Sequence, residues 1–271
     1  NKRIAKNTIF LYFRMMFTML VALYTSRVIL QKLGVDDYGI YQAVGGIVGF
    51  LSFINNALAT GSSRFLTYAL GENNFEKLRK TFSTTLNVHI VIALFVTIIA
   101  ETVGLWFLHN KMVIAPERLS AAEYVYHLSI ITAAFTLTQV PYNATIIAHE
   151  KMSIYAYVSI VEVSAKLAIC FLLSIGNFDK LKLYATLLLI IQIGLMIFYR
   201  IYCRNKFEES HFSMSFDRKI FKEIAGFSGW SLFASSSTAL NSQGILLLLN
   251  MFFSPAVVAA RAISLQVNMA A

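Results

Sequence analysis

Long apolar runs separated by short charged connections limit what this chain can fold into more than any other feature. Seven runs are complete, at about Thr8–Leu30, Tyr38–Leu70, Thr84–Leu108, Ala121–Ala148, Ser153–Ile175, Leu181–Cys203 and Glu223–Phe253, and an eighth starts near Ala256. A helix needs roughly 20 apolar residues to cross the hydrocarbon of a bilayer. In lipid every backbone N–H and C=O must be satisfied inside a helix or a closed barrel. The runs do not alternate in units of about ten residues, which argues for helices over a barrel. The expected fold is therefore an all-α integral membrane protein with seven complete transmembrane helices and the start of an eighth. Only 14% of residues are charged, against about a quarter in a soluble domain.

The net charge of +9 would suggest nucleic acid in a soluble protein. Here the cations cluster in the connections, which points to membrane orientation and no nucleic-acid partner. Fourteen Lys and Arg fall on the side of the N-terminus and six on the other. The positive-inside rule then places the N-terminus in the cytoplasm. The polar stretch Arg204–Lys222 divides the chain into a six-helix lobe at 1–203, a cytoplasmic linker at 204–222 and the opening of a second lobe at 223–271. Phe212, Phe216, Ile220 and Phe221 lie at helical spacing beside basic residues. That spacing fits an amphipathic helix on the inner leaflet as well as a solvated linker. The chain begins without Met and ends inside an apolar helix, so it reads as a piece of a longer protein.

Helical residues advance about 100° each, which sorts the polar residues of each span onto faces. Gln42, Gly46, Gly49, Asn56, Thr60, Ser63 and Arg64 form one stripe of span two. Asn7, Arg14, Thr18 and Thr25 share a face of span one. Thr132, Thr136, Gln139 and Asn143 share one in span four, and Ser159, Glu162, Lys166 and Cys170 in span five. Span seven carries Ser228, Ser231, Ser235, Thr238 and Ser242. A helix surrounded by lipid gains nothing from such a stripe, so a shared polar interior is one reading. Close helix packing through small residues is the other, and Gly45-x-x-x-Gly49 is a packing pattern.

Ionisable groups within spans cost at least ~2.5 kcal/mol at the centre and normally face protein or water. Arg14 and Arg64 sit on the polar faces, and Arg261 lies early in span eight. Arg27 lies near the far end of span one, where a cavity role and snorkelling to the interface are equal rivals. Glu162 and Lys166 are spaced to pair on one helix or to bind a coupling ion. Glu101 reads equally as a snorkelling carboxylate and as a coupling group. Pro141 removes a backbone donor from span four, either as a static kink or beside a cavity. Two distant cysteines and five scattered histidines offer no disulfide, metal or cofactor site. No nucleophile elbow, phosphate loop or metalloprotease motif is present, so no catalytic residue is assigned and an enzyme is not expected.

The segment LGVDDYGIYQAVGGIVGFLSFINNALATGSSRFL (Leu33–Leu66) resembles the start of polysaccharide and O-antigen flippases of the Wzx type. These belong to the multidrug/oligosaccharidyl-lipid/polysaccharide (MOP) exporter superfamily. VPYNATIIAHEKMSIYAYVSIVEVSAKL (Val140–Leu167) resembles the junction of spans four and five in the same group. The resemblance implies two six-helix bundles around a central cavity. It implies a cargo of lipid-linked, undecaprenyl-pyrophosphate-type oligosaccharide, flipped across the bacterial inner membrane for lipopolysaccharide synthesis. Arg27, Arg64 and Arg261 match spans and depths where such flippases carry cavity arginines, and Arg14 joins them as a candidate. Gln42, Asn56, Thr60, Ser235 and Thr238 would line the cavity and meet sugar hydroxyls. Glu162, Lys166 and Glu101 would serve coupling to H+ or Na+. Membrane lipids and the polysaccharide polymerase machinery are the further partners it suggests. Two alternatives stay open: a multidrug or cation exporter on the same fold, and a membrane scaffold without transport. The acidic residue that multidrug exporters of this superfamily typically carry in span one is absent here, which counts against the first.

Overall fold

A computed structural model describes residues 2–50, 52–173, 178–211 and 216–270. Every expected span is helical there. Span one is α1 (Lys2–Leu33). Span two is α2 (Val35–Phe50) followed by α3 (Ser52–Gly71). Span three is α4 (Phe75–Ile99), a π-helical turn (Ala100–Gly104) and α5 (Leu105–Lys111). Span four is α6 (Leu119–Ala148), span five α7 (Met152–Leu172) and span six α8 (Lys180–Lys206). Span seven is α9 (Arg218–Ala239), a second π-helical turn (Leu240–Gly244) and α10 (Ile245–Phe252), and α11 (Pro255–Ala270) opens span eight. The expected end of span five at Ile175 lies outside the described residues, as does Phe212.

By length and apolarity five of these elements can cross a membrane. The α2–α3 pair, bent by 49°, makes a sixth. Of the seven spans expected as complete, α6 is the one outside this set. α6 is long enough at 30 residues, but His127, Gln139, Pro141, Asn143 and its threonines dilute its apolar character. α11 has 16 residues, short of the roughly 20 that crossing requires.

Local chemistry sets the element ends. α1 stops because Gly34 takes a left-handed φ of 85°, a conformation that costs glycine little, and α2 starts at the next residue. Side chains of Asn74, Asp179 and Asp217 accept backbone N–H groups at the starts of α4, α8 and α9, as N-caps do. The stretch 204–222 is not one amphipathic helix among the described residues. α8 runs to Lys206, Glu208–Ser210 is a 3-10 turn, and α9 begins at Arg218. Ile220 and Phe221 therefore belong to the first turn of span seven. Pro141 does not interrupt α6, which continues to Ala148.

The packing order differs from chain order. α1 packs along α7, α2 along α11, α3 along α9, and α6 along α8 and α4. One core cluster gathers Ala121, Ala122, Val125, Tyr126 and Ile130 of α6 around Ile40, Val44 and Ala100. A second joins Val28, Ile29, Tyr38 and Ala43 to Val258, Ala259 and Ala262 of α11. The beginning of the expected second lobe is therefore seated on spans one and two. Small residues make this close approach workable, as is usual between helices in lipid. A Cβ on Gly39 would lie 2.1 Å from the carbonyl oxygen of Pro255, and one on Gly49 would lie 3.2 Å from Gln243. Nothing lies within 4 Å of the same atom on Gly45. The seam of α2 is thus Gly39, Gly46 and Gly49, and Gly45 is not part of it.

Candidate functional site

The four candidate arginines lie at two levels. Arg27 is seven residues before Gly34 and Arg261 six after the start of α11, each roughly 10 Å in at 1.5 Å per residue from the face that carries Gly34. Arg64 is seven residues before the end of α3, about as deep from the opposite face, where the N-terminus lies. Arg14 belongs to the N-terminal half of α1. Arg64 is exposed and its guanidinium lies 4.5 Å from the ring centroid of Phe227 on α9. Arg14 stacks on Tyr155 of α7 at 4.8 Å. The Nε atoms of Arg14 and Arg261 are buried without a hydrogen-bond partner, and Arg27 is exposed. Among the described residues none of the four meets a carboxylate.

The span-two stripe survives in part. Asn56, Thr60 and Arg64 are exposed on successive turns of α3, and Thr60 donates to the Asn56 carbonyl at 3.0 Å. Gln42 is half-buried. On α9, Ser235 is half-buried and Thr238 exposed. α3 and α9 hold together through Gly61 against Ser228 and the edge-to-face rings of Phe65 and Phe227. A cleft of about 170 Å³ between α3, α4 and α9 is lined by Arg64, Tyr68, Lys77 and Glu223. Inside the first lobe, Tyr41, Asn55, Ser129, Thr132 and Thr136 line a separate cavity of about 310 Å³. Gly45 opens onto it, which accounts for the space beside that residue. Side chains of residues 2–7 lie outside the described part, so Asn7 is not placed.

The acidic candidates are all compensated. Lys166 donates to Glu162 at 2.6 Å within α7, the pairing that their spacing offers. Glu101, in the π-helical turn of span three, bonds His127 Nδ1 of α6 at 3.0 Å. Further along the same two spans, His109 bonds Glu123. These three partners escaped sequence reasoning. Glu123 and His127 are one turn apart in sequence, but their bases and acids lie on another span.

Both faces are tied by charged knots. At the Gly34 face, Arg118 grips Asp37 through Nε at 2.8 Å and Nη2 at 2.6 Å, and Asp179 through Nη1 at 2.8 Å. Burial works against the Asp179 carboxylate, but hydrogen bonds from Arg118 and from the backbone N–H groups of Lys182 and Leu181 outweigh it. Its pKa is held below the ordinary 3.8. At the other face, His149 bonds the buried Glu209 at 2.5 Å and stacks on Phe207 at 4.2 Å. Asp217 caps α9, and the backbone N–H groups of Ile220 and Lys219 lower its pKa. No group of three or more potential metal ligands occurs among the described residues.

A family model described as MatE matches residues 11–172, more than half of the chain. A solved structure named protein A shares 17% identity and a TM-score of 0.82, covering 100% of this chain and 61% of its own. An inward-facing multidrug resistance MATE family transporter of the MOP superfamily shares 14% identity and a TM-score of 0.75, over 97% of this chain and 61% of that one. A MOP superfamily transporter from Pyrococcus furiosus Vc1, described by a reverse polarity of its binding pocket, shares 15% identity and a TM-score of 0.64, over 98% and 64%. The chain thus spans about 61% of the length of the first two. Comparison with curated proteins gives no match.

Proposed function

We propose, starting from the fact that the chain belongs to the MatE family, that it forms the first lobe and the opening of the second in an exporter of anionic, lipid-linked oligosaccharide. One observation carries this reading. Glu101, Glu123 and Glu162 are each hydrogen-bonded to a base, while among the described residues Arg14, Arg27, Arg64 and Arg261 form no ion pair, although Glu223 shares a cleft with Arg64. The charge left without an ion pair at these four positions is positive, and it suits an anionic cargo better than a cationic drug. Guanidinium binds phosphate oxygens bidentately, so a pyrophosphate linking lipid to sugar fits these groups. Two levels of arginine give such a headgroup a station near each face. Asn56, Thr60, Ser235, Thr238 and Gln42 offer hydroxyl and amide groups for the sugars. In this reading the protein sits in a bacterial inner membrane with its N-terminus in the cytoplasm, an orientation that loop charge supports, so Arg64 is the inner station and Arg27 with Arg261 the outer one. An H+ or Na+ gradient would drive the cycle, and the polysaccharide polymerase would receive the cargo.

Arg64→Gln in the full-length protein tests this. A charged hydrogen bond is worth about 1.5–3 kcal/mol, so binding of undecaprenyl-pyrophosphate-linked oligosaccharide should weaken about 10–100-fold, with export falling and membrane levels unchanged. Unaltered binding and export would sink the cargo reading. The cation-exporter reading predicts the reverse, that removing the charge improves transport of cationic drugs.

A further inference from the structure

Span three and span four share four titratable side chains in sequence along their interface. From the Gly34 face inward they are His109, Glu123, His127 and Glu101. His109 Nε2 bonds Glu123, and His127 Nδ1 bonds Glu101. Glu123 and His127 are spaced i, i+4 on α6, so they are neighbours on one helix face. The two pairs therefore form one row, running from α5 near Lys111 to the π-helical turn.

The depth of the inner pair makes it costly. Trp106 is exposed, and Lys111 reaches over its ring at 5.8 Å, the arrangement of an interfacial aromatic with a cation. Glu101 lies five residues further in, roughly 8 Å deeper. An ionisable pair at that depth is expensive and typically belongs to an ion or proton pathway. The backbone is specialised at the same point. The π-helical turn Ala100–Gly104 is pinned by Tyr126, whose hydroxyl donates to the Ala100 carbonyl at 2.6 Å. A Cβ on Gly104 would lie 2.0 Å from that hydroxyl. Single π-turns occur frequently at functional sites. Here the turn places Glu101 next to the residue that follows Tyr126.

We propose that this row is a proton path, with Glu101 and His127 as the coupling site and His109 and Glu123 as its connection to the outer face. The chemistry is proton transfer alone. A proton taken up at His109 Nδ1 releases the Nε2 proton to a Glu123 oxygen. Glu123 then protonates His127 at Nε2 as the His127 Nδ1 proton passes to a Glu101 oxygen, which leaves each ring in its other neutral tautomer until the reverse transfer resets it. No other bond changes, and release reverses the order. Each pair holding one shared proton is neutral overall, which limits the cost of sitting in lipid. Imidazole argues for H+ over Na+, because hard cations take oxygen ligands. The other charged or titratable groups around the row are Tyr126 and Tyr124, Lys182 over the Tyr124 ring, and Lys111. The inference uses the exporter reading only to say what the proton drives.

Infrared difference spectroscopy on the full-length protein, in phosphatidylethanolamine–phosphatidylglycerol liposomes without cargo, tests it. Lowering the pH from about 8 to about 5, the range where imidazole titrates, should raise a protonated-carboxyl band. Glu101→Gln should abolish that band, and His127→Gln should move its midpoint by about one pH unit or more. His109→Gln, at the surface end, should leave the midpoint in place and slow the band's appearance after a pH jump roughly tenfold or more. A static pair that merely fastens two helices gives no titrating band, or one indifferent to Glu101→Gln, and either result overturns the proposal. Arg64→Gln without effect on export would sink the cargo reading and leave this band untouched. A missing band would sink the proton path and leave the cargo reading standing.

Discussion

Arg118 shows how much one residue can hold. Its guanidinium joins the first turn of α2, the 3-10 turn before α6 and the cap of α8. Its side chain is 30% exposed and its partners 20% and 29%, so the clamp falls between surface pairs, worth about 0–1 kcal/mol, and buried ones, where loss of a partner costs about 3–5. Arg118→Met is expected to cost about 1–3 kcal/mol, read as a lower thermal midpoint in detergent. The two carboxylates differ in sign: burial raises the Asp37 pKa despite Arg118, whereas Asp179 is lowered. Asp179 has a lowered folded pKa, so its contribution is present above the ordinary carboxylate value of 3.8 and is lost as pH falls through the lower folded value. The variant should lose most of that acid-side slope. A slope equal to wild type would show that Arg118 does not hold Asp179. At this scale the sequence was only half legible. Glu162 and Lys166 announce their pairing because both lie on one helix. Glu101 does not, because its partner His127 is on a span whose neighbours periodicity cannot name.

At the scale of elements, the seam between α2 and α11 is set by what glycine leaves out. Gly39→Ala would drive a methyl group into the Pro255 carbonyl, and overpacking typically costs about 1–3 kcal/mol. Gly45→Ala meets nothing within 4 Å and removes a glycine from a helix interior, worth up to about 1 kcal/mol of stabilisation. The two substitutions, six residues apart, should shift the thermal midpoint in opposite directions. Equal effects would mean that α2 does not pack on α11 as described. The existence of the helices could be read from apolar run length, and the polar stripe of α3 from its angular spacing. The two π-helical turns could not, since one extra residue in a turn leaves no mark in composition. The glycine seam was half visible. A small-xxx-small pattern marks a packing helix without saying which glycine touches the neighbour.

The whole molecule has its two unequal parts in contact near the Gly34 face, where Ser26 of α1 bonds Gln266 of α11. If the lobes rock during transport, this contact must open. Ser26→Cys with Gln266→Cys, joined by a short cleavable thiol reagent in the full-length protein, should stop export, and cleavage should restore it. Export that continues while cross-linked would rule out separation of α1 from α11 in the cycle. The packing order also has a consequence for how the protein is made. α1 ends at Leu33 and finds its main neighbour in α7, which starts at Met152. A ribosome adding about 5–20 residues per second takes on the order of 6–24 s to synthesise what lies between. For that interval α1 waits without the Tyr155 ring on which Arg14 stacks. The newborn protein therefore passes through a stage in which α1 has its smaller contact with α2 but lacks its main neighbour.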